Sequence, residues 1–435
     1  MTVTRYLLLG VTCLGAACAA TPRPGAVTPA EIPTLLTQAR QQPNNATVRF
    51  RLAAALMTAG RCDTAVVVAR AGQLLAPADA LGPLVLGGCQ EKDGRYDLAF
   101  ATYTDFAAQH PEARGVGAVR AKAQIALRTQ AEQTARQALA SESTLTSLAP
   151  EPSTLAVLPV TISGDSSFQP LSRGLAELIT SDLALVRSLR LLERVQIGAL
   201  MDEMQLGQSQ RSDPATAARV GRLLRAERMV QGVASITPDG PVRLSATVVR
   251  GDGTVRSGAQ ANGTFRQLLD LEKRLVFSLA TQLGIQLTDA ERQRILRQGP
   301  RNLAAFLAYS EGLDALDRGD YRAAAAAFSA SVRADPSFQA AREHRQAAAA
   351  APAVQASGGD VVTVVEAVAE MTAPTEPATD AALSSAGADV SPSVADALMQ
   401  DTGGLTTQSD LTPASQGITT LTQASGIIRI IFKRP

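Results

Sequence analysis

The stretch Gly94-Arg-Tyr96-Asp-Leu-Ala99-Phe-Ala-Thr-Tyr103-Thr-Asp-Phe-Ala107-Ala-Gln-His110-Pro111 decides half of the fold. It opens on a glycine, alternates aromatic and small residues at 96, 99, 103 and 107, and closes on a proline 17 positions after the glycine (94 to 111). Glycine turns the chain, proline marks the end of a helix, and small residues let a facing helix come close enough to bring in an aromatic. The same frame recurs elsewhere. Gly60 precedes Pro77 and Gly319 precedes Pro336 by the same interval, and Pro43, Pro77 and Pro111 stand 34 residues apart. Leu52, Ala53, Ala65, Ala69 and Gly72 fill the upstream unit, and Gly312, Tyr321, Ala324 and Phe328 fill the distant one.

A 34-residue helix–turn–helix period resembles tetratricopeptide repeats, over roughly 30–140 and 302–350. Stacked units of that kind present a concave groove, so the expected partners are proteins or peptides. Cys62 falls at the start of the second helix of one unit, and Cys89 late in the first helix of the next. Those helices would be antiparallel neighbours, which predicts a Cys62–Cys89 disulfide in an oxidising compartment; two buried free thiols are the alternative.

The compartment is read from residues 1–20. Arg5 precedes a short apolar run, small residues follow, and Pro22, Pro24 and Pro29 break the chain directly afterwards, which is the pattern of an export signal. Leu14-Gly-Ala-Ala-Cys18 resembles a bacterial lipobox, so Cys18 is the expected lipid acceptor. Gly15 stands where that pattern has a large apolar residue, and ordinary cleavage after Ala19 or Ala20 is the competing reading.

Between 152 and 290 the pattern changes. Leu155-Ala-Val-Leu-Pro-Val160 predicts a strand, and Leu171, Leu175, Leu178, Ile179, Leu183 and Val186 an amphipathic helix. Leu189–Val195 reads as a second strand, followed by helices over Gln196–Gln208 and Asp213–Arg225. Strands over Met229–Ile236, Val242–Arg250 and Thr254–Ala261 are separated by Asp239-Gly240 and Asp252-Gly253, and a long helix follows Phe265. Val242, Leu244, Ala246 and Val248 alternate with polar residues, so one face of that strand is solvated.

Leu155–Val160, Gly174-Leu-Ala-Glu-Leu-Ile179, Leu192-Glu-Arg-Val195, Asp213-Pro-Ala-Thr-Ala-Ala218 and Val230-Gln-Gly-Val233 occur in an order that resembles the curli secretion-channel family (CsgG-like proteins). The amino-terminal domain of TolB-type proteins and lipoprotein activators of peptidoglycan synthases share it. The resemblance implies an αβ periplasmic domain, lipoprotein attachment, and partner binding or self-assembly into a homo-oligomer. A membrane-crossing strand needs roughly 9–11 residues of alternating character. Val242–Arg250 barely reaches that length and Thr254–Thr264 is rich in Gly, Gln, Asn and Ser, which argues against a pore.

Composition excludes several functions. The formal net charge is +1, aromatics are 3% and Trp is absent, which leaves no footprint for nucleic acid. The only histidines are His110 and His344, and neither lies in a metal-ligand or Ser/Cys-partner spacing. We therefore expect no catalytic residues, no cofactor and no metal, and read Glu193-Arg194 as a structural ion pair or strand-end signal.

The expected whole is α+β and multidomain. It comprises a signal peptide (1–20), all-α repeats (30–140), a three-layer αβ domain with a mixed sheet (152–290), a further repeat (302–350), a disordered acidic tail (351–425) and an apolar β-prone terminus (426–435). The distant repeat should dock on the helix at 265–284, with 130–152 as a flexible joint. The expected function is that of a non-catalytic scaffold or adaptor in the cell envelope, periplasmic and lipid-anchored to the outer membrane. A CsgG-like secretion-channel subunit is the alternative.

Overall fold

The computed structural model describes residues 26–206, 213–237 and 240–372. Its amino-terminal part is a run of antiparallel helices: α1 (Ile32–Gln41), α2 (Ala46–Thr58), α3 (Cys62–Gln73), α4 (Leu81–Lys92), α5 (Tyr96–Gln109) and the long α6 (Val116–Ala140). The repeat residues do the physical work their types suggest. Gly60 and Gly94 turn the chain between paired helices at φ +75° and +72°, a left-handed conformation that favours glycine. A Cβ on Gly87 would lie 2.3 Å from the Tyr103 ring, and one on Gly312 would lie 2.5 Å from the Phe328 ring. The small residue on one helix thus makes room for the aromatic of its partner.

After the short α7 (Glu142–Leu145) the chain enters a six-stranded sheet: β1 (Glu151–Val157), β2 (Thr161–Gly164), β3 (Arg190–Leu191), β4 (Ala226–Ile236), β5 (Pro241–Arg250) and β6 (Val255–Thr264). The order is β3-β1-β4-β5-β6, with β2 continuing along β4 beyond β1. Pro159, which has no N–H to give, divides β1 from β2. Pairing is parallel from β3 to β4 and antiparallel from β4 to β6, so the sheet is mixed.

Helices cover both faces. On one lie α8 (Leu171–Leu183), α11 (Leu268–Gln282) and α12 (Asp289–Arg297), which share a core with Leu155, Val157, Val230, Val242 and Leu244. On the other, α9 (Arg194–Glu203) and α10 (Pro214–Leu223) bury Ala156, Leu158 and Met229 together with Ala135 and Ala138 of α6. Asp213 caps α10 by accepting from Ala215 N and Thr216 N at 3.3 and 3.0 Å.

The chain then returns to the helices. α13 (Leu303–Asp317), α14 (Tyr321–Ala334) and α15 (Gln339–Ala356) form a further set, with Gly319 turning at φ +77°. α15 packs along α6, and α13 packs on α8. The helices before and after the sheet therefore form one array, and the αβ part is inserted into it.

Four expectations change. The stretch 130–152 is not a loose joint: α6 runs unbroken to Ala140 and lies on α9. The distant repeat docks on α8 rather than on α11, because Gly174 on α8 leaves room for Ser310 and Phe306. Residues 351–372 do not begin a disordered tail. They complete α15 and form α16 (Val361–Thr372), in which Val361, Val362, Val364 and Val368 are buried. The strand expected over 189–195 is only two residues long, since the chain turns into α9 at Glu193. Residues 1–20, most of 351–425 and all of 426–435 lie outside the described residues.

Candidate functional site

Two features stand out: a buried ion network joining the insert to the array, and a helix-filled face on the amino-terminal repeats.

The network centres on Arg194, the first residue of α9. Its Nη1 and Nη2 donate to Asp317 at 2.6 and 3.2 Å, and its Nε donates to Glu177 at 3.1 Å. Arg173 on α8 adds bonds to Asp317 at 2.5 Å and to Asp314 at 2.8 Å. From α6, Arg128 donates to the carbonyls of Leu316 and Asp317 at 3.3 and 2.9 Å, satisfying acceptors at the end of α13. Asp317 sits where the helix dipole disfavours a carboxylate. Burial would raise its pKa, but Arg194 and Arg173 hold it below the ordinary carboxylate range. Four helices meet here, two from the insert (α8, α9) and two from the array (α6, α13). Beside them Glu193 is pushed up to about 7 by burial and by the charge of Glu177.

A second buried cluster lies between α8 and α11. Lys273 Nζ donates to Asp182 Oδ2 at 2.5 Å and lies 3.4 Å from Glu272 Oε2. Burial raises both carboxyls above their usual range. Both side chains are fully buried, so this cluster ties α8 to α11 and presents no carboxyl to solvent.

The filled face belongs to α2 and α4, the first helices of two successive hairpins, and to α6, which follows them. α16 lies across all three and against α15. Val361, Val364, Val365 and Val368 fall at i, i+3, i+4 and i+7, which makes a single stripe. Val361, Val362, Val364 and Val368 share a core with Phe50, Leu84, Val85 and Val119.

Cys62 and Cys89 are placed together, with Cα atoms 5.5 Å apart, within the span a disulfide bridges. Cys18 lies outside the described residues. His110 caps the end of α5 beside Phe106, and His344 lies on α15, stacked on Phe328 with ring centroids 5.1 Å apart. Among the described residues, no group of three or more His, Cys, Asp or Glu is placed to hold a metal ion, and no helix is long and apolar enough to cross a membrane. Sequence reasoning singled out Arg194 but not its partners on α8 and α13, which lie far away in the chain.

These features define an all-helical repeat array with an inserted three-layer αβ domain. Residues 141–237, less than a quarter of the chain, match the family model of the curli production assembly/transport component CsgG. The matched stretch runs from α7 to the end of β4, and helices flank it on both sides. No curated protein matches the chain.

Proposed function

We propose that this chain is a non-catalytic adaptor of the bacterial cell envelope, exported through residues 1–20 and lipid-anchored to the outer membrane at Cys18, that holds protein partners in assembly or secretion. The observation that carries the reading is the joining of insert and array into one body by Arg194, Arg173 and Arg128. A body built in this way presents a repeat groove and an αβ surface in fixed relation, as a scaffold requires. The matched family, described as a production assembly/transport component, supports the envelope setting. The apolar face of β5 favours an adaptor over a channel subunit, because Val242, Leu244 and Ala246 are already buried under α11.

Photo-crosslinking in intact cells tests the proposal, with the crosslinker at the half-exposed Glu366 on α16, beside the groove, and at the exposed Arg243 on the sheet. The adaptor reading expects defined protein adducts from both positions and no heat-resistant ring after detergent extraction. A ring with adducts only between copies would replace it with the channel reading.

A further inference from the structure

We propose that the face of α2, α4 and α6 is a helix-binding groove, that α16 is its internal occupant, and that its external ligand is a short valine- and alanine-rich helix of another protein, competing with α16. The inference deepens the adaptor reading and rests on it.

The groove is fitted to a helix. Gly115 precedes α6 at φ +81°, and a Cβ there would lie 3.1 Å from Val365 Cγ1. A Cβ on Gly117 would lie 3.1 Å from the Gln346 carbonyl oxygen and 3.5 Å from Val368 Cγ1. The missing side chain at Gly115 thus lets α16 approach the start of α6, while the one at Gly117 makes room chiefly for the α15 backbone. The occupant is also separable. α16 lies outside the hairpin repeat and is joined to α15 only through residues 357–360, where Gly358 and Gly359 turn at φ +59° and +99°. Asp360 then starts the helix by accepting from Val362 N at 3.0 Å.

The composition of α16 points the same way. Four of the first five residues are valine, which lose side-chain freedom in a helix, and twelve residues are too few for a stable isolated helix. The groove therefore supplies the helical order, and a segment that brings the same stripe can replace it. Residues 350–372 contain no Lys or Arg, so the ligand should likewise lack basic residues. A second copy of this chain is the weaker candidate, because its α16 already occupies its own groove at the high effective concentration of a short tether.

The test uses the purified full chain and a fluorescent peptide copying residues 358–374. An occupied groove binds an external ligand less tightly in proportion to its occupancy, so Val365→Asp, which loosens α16, should bind the peptide about tenfold or more tightly than wild type. A peptide carrying the Val365→Asp change should not bind. Circular dichroism and thermal melting establish that each variant is folded. Should Val365→Asp not fold, a protease site placed at 357–360 allows α16 to be cut in the folded chain and its exchange with labelled peptide followed. Equal binding to wild type and loosened chain, or none to either, overturns the proposal. Dimerisation of the loosened chain without peptide binding assigns the groove to a second copy and overturns the stated ligand. Because no cellular partner takes part, peptide binding without cellular adducts would sink the adaptor reading and leave the groove.

Discussion

His344 shows how one side chain takes its properties from what packs around it. Its Nδ1 lies 2.9 Å from the Gln124 amide on α6, and its ring faces Phe328 and Tyr309. Burial, reinforced by the positive charge of Arg194, lowers its pKa from 6.5 to about 4. The unfolded chain therefore takes up a proton between those two values that the folded chain refuses. The stability His344 contributes is complete above about 6.5 and is lost as pH falls toward 4. Urea midpoints measured from pH 7.5 to 4.5 should fall, and the fall should be shallower in His344→Phe. Parallel curves would show that His344 is not the titrating group. From the sequence, His344 could be placed only outside any metal-ligand or Ser/Cys-partner spacing. Its neighbours were hidden, because Gln124 lies 220 positions away.

At the scale of elements, the hairpins α2–α3, α4–α5 and α13–α14 were legible because each repeat writes its own turn and small residue within a few positions. Gly94, Tyr103 and Pro111 act locally, so local reading finds them. α16 was less legible because β-branched residues favour strands in general, and only its surroundings make it a helix. The same scale holds the Cys62–Cys89 pair, which joins the start of α3 to α4 across a separation of 27 residues. A bridge closing a loop of that length stabilises by about 3.5 kcal/mol in the chain-entropy model. The oxidised protein should melt well above the reduced one, and Cys62→Ser/Cys89→Ser should match the reduced form. Equal melting temperatures, or two free thiols in the exported protein, would count against a bridge.

For the whole molecule, the insertion of the αβ part into the array was not readable. The sequence shows a third repeat after the sheet but not which surface covers it. That answer is spread over Arg128, Arg173, Arg194 and Asp317, on four helices. Arg194→Met would leave Glu177 and Asp317 largely buried with their main cation gone, a loss of about 3–5 kcal/mol for an ion pair broken on one side. Limited proteolysis of the variant should give early cuts at 146–150 and 298–302, on either side of the insert, whereas wild type should be cut first at 357–360. Identical cleavage patterns would show that the network does not hold insert and array together.

The insertion also sets an order of events in time. A chain synthesised amino-terminus first presents α1–α6 as a helical series whose last helix lacks its neighbour. The α15 surface that covers Arg120 and Gln124 follows more than 200 residues later, after the entire sheet. Throughout that interval the long flank of α6 is an unfinished edge, open to any helix that reaches it. Completion of this protein is thus a ring-closing step, in which the two ends of the array find each other only once the insert between them has taken shape.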